Sequence, residues 1–228
     1  QLDSIAALGE PVRRALYRYV VAQSGTVSRE QAAAGIGVPR HTAKFHLDRL
    51  ESDGLLETEY RRPPGKSGPG AGRPTKLYRR ADRDVEISLP PRRYDLAGYV
   101  MAEAITASGA SGASIGDSLR TVARRTGHTL GSQARGSQGR SGTRLRRAAA
   151  AAAVTDVLGA NGFEPCVDGD QITLANCPFH KLAQDYPDLV CAINLDLIGG
   201  LVDELGPKSM EATLDPAPGR CCVRLRKL

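Results

Sequence analysis

The sequence predicts an α+β fold in three segments, and three patterns predict it. Short helical periodicities followed by two strand-like runs occupy residues 1–81. Helical patterns dominate 82–160, and strand and helix patterns alternate through 161–228. The chain has 228 residues, enough for one large domain or two ordinary ones, and 41% of them are apolar, enough for a packed core. Aromatic residues make up 4% and tryptophan is absent, so the core must be built mainly from Ala, Leu, Val and Ile.

In the first segment, Leu8, Val12, Leu16 and Tyr19 recur at helical spacing and predict an amphipathic helix that ends near Gly25. Pro11 fits its first turn, where backbone amides have no helical partner anyway. Ser28 with Gln31 is a capping-box pair that opens a short helix over Arg29–Ala34. Gly35-Ile36-Gly37-Val38 then makes a tight turn. Pro39 opens a third helix, Arg40–Asp53, whose buried face is drawn from Ala43, Phe45 or His46, Leu47 and Leu50, and Gly54 stops it. Leu55–Tyr60 reads as a strand, Arg62–Thr75 as a Gly/Pro-rich loop and Lys76–Arg80 as the returning strand.

The second segment starts with a connector around Pro90-Pro91. Helices are predicted over Tyr94–Thr106, Ser114–Leu130 and Leu145–Leu158, with a mobile Gly/Ser/Arg-rich loop over Gly131–Gly142. In the third segment Glu164–Val167, Gln171–Leu174, Glu211–Leu214 and Cys222–Leu225 are strand-like. Lys181–Asp185 and Leu189–Leu205 are helical, and Asp168-Gly169 suits a hairpin turn.

The formal charge of +6 suits a polyanionic partner, since Lys and Arg release condensed counterions when they neutralise phosphates. No apolar run approaches the roughly 18–20 residues that cross a bilayer, so no membrane association is expected. The N-terminus lacks a signal-peptide pattern, which places the protein in the cytoplasm, where cysteines stay reduced.

Two helices joined by a short turn, the second exposing basic and hydrogen-bonding side chains, make a helix-turn-helix unit, and the basic hairpin adds a wing. The partner is then double-stranded DNA. Arg40 can pair with guanine, Thr42 can touch a thymine methyl or a phosphate, and Lys44 and Arg49 can reach the backbone. His41 is a further contact, and His46 faces either DNA or the core. Arg62, Arg73 and Lys76 belong to a wing that follows phosphates or enters the minor groove.

The stretches Leu8–Arg14, Thr42–Leu56 and Gly72–Arg79 resemble ArsR-like winged-helix regulators. That resemblance covers roughly a third of the chain and implies a homodimer on a partly palindromic operator, as closed two-fold symmetry favours. The expected architecture is an N-terminal winged helix-turn-helix (1–81), a central helical linker and dimerisation region (82–160) and a small C-terminal α+β sensor domain (161–228).

All five cysteines, Cys166, Cys177, Cys191, Cys221 and Cys222, lie in the last third of the chain. An odd, clustered set in a reducing compartment points to metal or redox chemistry rather than to disulfides. Cys177, Cys191 and Cys221 with His180 are sufficient for a metal site, and thiolate with imidazole suits zinc or an iron–sulfur cluster. Neighbouring strand residues face opposite sides, so Cys221 and Cys222 are not both expected at one site, with Cys221 preferred. Cys166 reads as a core cysteine. This segment is similar to the sensory half of the Suf-operon repressors, through Cys177-Pro178, Cys191 after Tyr186-Pro187-Asp188-Leu189, and Cys221 after Gly219. The resemblance implies a [4Fe–4S] cluster on three cysteines. One extra residue between the first two cysteines, with His180 and Cys222 added, keeps zinc as the alternative.

No Ser/His/Asp order, phosphate-cradling loop or carboxylate pair recommends an enzyme, and Gly109–Gly116 follows a helix rather than a strand. The function expected from these patterns is a homodimeric repressor whose operator affinity is set by a cluster or metal. The other reading is a regulator of the same fold that senses a small organic effector, its cysteines inert or holding a structural zinc.

Overall fold

The computed structural model describes residues 2–62, 74–137, 147–206 and 210–228, and the chain divides into two units, 1–87 and 88–228. In the first unit, α1 (Leu2–Ala7) precedes α2 (Pro11–Val21). The Glu10 carboxylate caps α2 by accepting from the backbone N–H groups of Val12 at 3.1 Å and Arg13 at 2.6 Å. These bonds satisfy donors that the first turn leaves free. Ser28 and Gln31 form the predicted capping box at the head of α3 (Arg29–Ile36). The chain leaves α3 through Gly37 at φ 73°, a left-handed conformation that costs glycine nothing. Pro39 then leads into α4 (Arg40–Ser52).

Ala43, Leu47 and Leu50 recur along one face of α4 and are fully buried in a core shared with Leu16 and Val20 of α2 and Ala32 and Ala33 of α3. The hairpin of β2 (Leu56–Arg61) and β3 (Thr75–Arg80) pairs antiparallel from Leu56 opposite Arg80 to Arg61 opposite Thr75. A two-residue strand, β1 (Val27–Ser28), adds to the other side of β3, giving the order β1-β3-β2.

In the second unit three helices, α5 (Tyr94–Ser111), α6 (Ile115–Ser137) and α7 (Arg147–Ala160), lead to β4 (Pro165–Asp168) and β5 (Gln171–Leu174). Then come α8 (His180–Asp185), α9 (Pro187–Leu205), β6 (Met210–Leu214) and β7 (Val223–Lys227). The antiparallel sheet has the order β4-β5-β7-β6. The two-residue turn Gly169-Asp170 joins β4 to β5, with Gly169 at φ 57°. Val190, Ile193, Leu197, Ile198 and Leu201 of α9 lie at the centre of one core with Val100, Val122, Val154, Phe163 and Leu225. Residues from both the 82–160 and 161–228 segments thus share a single hydrophobic cluster.

α6 and α9 approach closely at two glycines. A β-carbon on Gly127 would meet the Leu197 carbonyl oxygen at 1.9 Å, and one on Gly200 would meet the Arg124 carbonyl oxygen at 2.0 Å. Arg124 also bridges the seam to Asp203 at 2.5 Å and Asp196 at 3.7 Å.

Three sequence expectations are corrected. Residues 131–137 continue α6 instead of forming a loop, because Gly131 packs against Glu204 and Arg135 pairs with the same carboxylate at 3.7 Å; the rest of the expected loop, 138–142, lies outside the described residues. Cys166 is exposed on the edge strand β4 rather than buried in a core. β7 begins at Val223, so Cys221 and Cys222 precede the strand and strand alternation does not separate them.

Candidate functional site

The surface that α4 presents is set by its helical period. With Ala43, Leu47 and Leu50 inward, Arg40, His41, Lys44, Phe45 and Arg49 are exposed and Thr42 is half-buried. Phe45, a candidate for the buried face, is instead 66% exposed, and its ring meets His46 edge-on at 5.1 Å. An exposed phenyl ring on a helix of this kind can pack on a thymine methyl, a contact that residue charge does not reveal. Arg40 is held toward Glu30 of α3, Lys44 lies 3.8 Å from Asp48, and Arg49 donates to Asp53 at 2.8 Å. These exposed pairs are worth little in water and leave the cations free to exchange a carboxylate for a phosphate.

Two basic candidates lie elsewhere. The His46 ring is turned inward, with Nδ1 3.5 Å from the Glu10 carboxylate that caps α2. Lys76, at the start of the returning strand, donates from Nζ to Asp48 at 3.0 Å and also to Glu51, while the buried Tyr78 hydroxyl donates to Asp48 at 2.8 Å. Burial opposes the Lys76 charge, but the hydrogen bonds to Glu51 and Asp48 outweigh it and hold the ammonium above the ordinary lysine range. Burial likewise raises the Asp48 carboxyl, yet the Lys76 and Tyr78 hydrogen bonds win and hold it below its ordinary value. This network ties α4 to the hairpin, so as placed Lys76 braces the reading helix. Arg62 follows β2 and is exposed, while Arg73 lies outside the described residues.

The cysteine site is built by three separate pieces of the second unit. Cys177 sits in the turn after β5. That turn is clamped by Asn176, whose Nδ2 donates to the carbonyls of Gly162 at 2.6 Å and Pro91 at 2.9 Å, and by Arg92, which donates to the Cys177 carbonyl at 2.9 Å. Cys191 and Asn194 lie one turn apart on α9, at the spacing that places side chains on one face. Cys221 and Cys222 enter from the loop before β7. There the Cys221 N–H donates to the Leu174 carbonyl at 2.8 Å, and the Asp215 N–H donates to the Cys222 carbonyl at 2.7 Å.

Cys177, Cys221 and Cys222 are buried and Cys191 is half-buried. Cys221 interacts electrostatically with Cys177 and Cys222, and Cys222 with Cys191. Asn194, which is fully buried, donates from Nδ2 to the Cys221 sulfur at 3.0 Å. Hydrogen bonds from Cys177 and Cys222 hold the Cys221 thiol well below its usual range, aided by the Val223 N–H and Asn194. Those contacts with the Cys221 sulfur, together with burial, push Cys177 and Cys222 up.

His180 opens α8 with an exposed side chain, and its backbone N–H donates to the Cys177 carbonyl at 3.0 Å. The structure thus places Cys177, Cys191, Cys221 and Cys222 in one region of the second unit and holds the His180 side chain at the surface. Among the described residues no group of three or more His, Cys, Asp or Glu side chains is already arranged to hold a metal ion. The donor chemistry nevertheless fits a soft metal or a cluster. Thiolate sulfur is the ligand for both, and each cysteine needs only one side-chain torsion to turn its sulfur.

Residues 8–59 match the family described as a helix-turn-helix domain. The chain carries a helix-turn-helix DNA-binding module. The matched stretch runs from the end of α1 through α4 into β2, so it contains the helix pair, the Gly37 turn and the exposed face of α4. No curated protein and no solved structure matches the chain. No helix among the described residues is long and apolar enough to cross a membrane.

Proposed function

We propose that this protein is a sequence-specific transcription regulator, a homodimeric repressor, whose operator affinity is set by a [4Fe–4S] cluster or a metal held at Cys177, Cys191 and Cys221. The observation that carries the sensing half of this reading is the convergence of buried thiols from three chain segments in a unit separate from the DNA-reading one. Inert core cysteines would need no such meeting. A bound cation would turn the thiols into thiolates and release protons, and a cluster would add redox sensitivity.

In the reading module, Arg40 and Phe45 reach base edges and Lys44 and Arg49 neutralise phosphates, with Arg62 and Arg73 in the wing. Lys76 positions α4 through Asp48 and Glu51. A signal at the cysteines alters operator binding only if it favours one arrangement of the dimer over another. A helix-turn-helix domain is a binding module, and nothing in this reading calls for catalysis.

Metal and acid-labile sulfide analysis with a visible spectrum, on protein purified without oxygen, tests the sensing half. Iron with sulfide supports the cluster and zinc alone supports the metal form. Protein that takes up neither, even after reconstitution, contradicts the proposal. A second reading, a small organic effector, draws on an open, mainly apolar recess of about 600 Å³ lined by Ala148, Ala151, Ala152, Val167 and Ile172.

A further inference from the structure

The sequence suggests a three-cysteine site completed by His180, and the structure points to a different fourth ligand. We propose that Cys222 joins Cys177, Cys191 and Cys221 in an all-sulfur, four-thiolate site, with Asn194 donating a hydrogen bond to the Cys221 sulfur from outside it. This rests on the reading of the cysteines as a metal or cluster site and specifies its donor set.

Cys222 is only 8% exposed and its thiol interacts with those of both Cys221 and Cys191. Two consecutive residues can serve one site because neither belongs to β7. The loop from Asp215 to Cys222 is closed by the Asp215 N–H on the Cys222 carbonyl and is free of strand alternation. Tetrahedral Zn–S bonds of about 2.3 Å place sulfurs roughly 3.8 Å apart, so zinc binding would draw the four sulfurs into one cluster by side-chain rotation.

Asn194 supplies an independent observation. Its side chain is fully buried against the site, with Nδ2 on the Cys221 sulfur, and its Oδ1 has no hydrogen-bond partner among the described residues. An unpaired buried acceptor costs on the order of 1–3 kcal/mol and calls for a specific explanation, a nearby ion among them. Here the amide's donor end is committed to sulfur. N–H donation to a ligating sulfur fixes its orientation and moderates its charge, as outer ligands do at metal centres. His180 has neither burial nor a side-chain contact with the thiols to set against this.

Zinc is the probe, added alone to the reduced, metal-free full chain, and X-ray absorption at the zinc edge counts its neighbours. Four sulfurs near 2.3 Å with no nitrogen are expected. Three sulfurs with one nitrogen near 2.0–2.1 Å would hand the fourth position to His180 and overturn the proposal while leaving the metal site intact. Three sulfurs with one oxygen would likewise remove Cys222 from the set. Failure to bind zinc stoichiometrically would overturn both the donor set and the site on which it rests.

Variants give a second readout by zinc competition. Cys222→Ala should weaken zinc by more than the roughly ten- to hundredfold typical of an outer-ligand change, whereas His180→Ala should change it less than about threefold. The reverse order would contradict the proposal. Asn194→Leu, which keeps the volume, should leave four sulfurs in place and weaken zinc by about tenfold. Unchanged affinity would remove Asn194 from its role.

Discussion

Replacing Gly200 with alanine should destabilise the second unit, although the same replacement in a free helix would stabilise it. Alanine in a helix interior is favoured over glycine by about 1 kcal/mol. At Gly200 the new β-carbon would stand 2.0 Å from the Arg124 carbonyl oxygen, 2.8 Å from its carbon and 3.1 Å from its Cα. All three are backbone atoms, so no side-chain rotation relieves the clash, and α6 and α9 must separate by more than an ångström. Overpacking of this kind costs about 1–3 kcal/mol or more. Separating the helices also weakens the neighbouring contact at Gly127 and the Arg124 bridges to Asp203 and Asp196. The expected net loss is about 2 kcal/mol, or roughly 4–8 °C in Tm for a chain of this size.

Gly98 on α5 is the control, since nothing among the described residues lies within 4 Å of the β-carbon it would gain. Gly98→Ala should stabilise by about 0.5–1 kcal/mol. The chain has no tryptophan, so circular dichroism in urea is the suitable assay. If Gly200→Ala stabilised the protein as much as Gly98→Ala, the close packing of α6 on α9 would be refuted.

In the reading module, Arg40→Ala should cost about 1–3 kcal/mol at the operator and relax its base preference, while Lys44→Ala should weaken all sequences alike and lower the salt slope by about one. Titrations at several salt concentrations separate the two. Lys76→Ala should leave the salt slope nearly unchanged and lower stability by about 1 kcal/mol, because its ammonium serves Asp48 and Glu51; a drop of a full unit in slope would return Lys76 to the phosphate contacts. The Asp48 carboxyl lies below its ordinary 3.8, so its contribution is complete above that pH and lost as pH falls through the lower folded value. Urea midpoints should therefore fall more steeply below pH 3.8 in the natural chain than in Asp48→Asn, and equal slopes would count against the network. Cys191→Ser should abolish the response to metal or oxidant while leaving folding and non-specific DNA binding nearly intact, as read by circular dichroism and by binding to an unrelated duplex.

The helices of the first unit were legible because their signals are local. A capping pair at Ser28 and Gln31, a left-handed glycine at position 37 and the apolar spacing 43, 47, 50 each act within a few residues. Strand β1 carries no such signal: its two residues are a strand only because β3, some fifty positions later, pairs with them. The last two turns of α6 were misread for a related reason. Their Gly/Ser content disfavours a helix in isolation, and the contacts of Gly131 and Arg135 with Glu204 override that preference.

Residue type could nominate basic side chains but could not tell a free cation from a paired one. The partners of Lys76 lie 25 and 28 positions earlier, and Glu10 lies far from His46 in sequence. At the cysteine site, three of the four clustered thiols were legible from type and grouping. Strand alternation, which separates Cys222 from Cys221 in the sequence pattern, holds only within a strand, and the chain is not yet a strand there. His180 was drawn in by nearness to Cys177 in sequence, yet its side chain is at the surface. Asn194 carried no signal beyond lying one helical turn after Cys191.

The central claim is that the cysteine site governs DNA binding, and one titration tests it most directly. Protein purified without oxygen and carrying its metal or cluster is titrated, at fixed salt, against the DNA upstream of its own gene, and again after chelator has stripped the site. Operator affinity is expected to differ by at least about fivefold between the two forms, the lower end of ordinary allosteric coupling, with non-specific binding unchanged. Equal operator affinity of the loaded and stripped forms would contradict it.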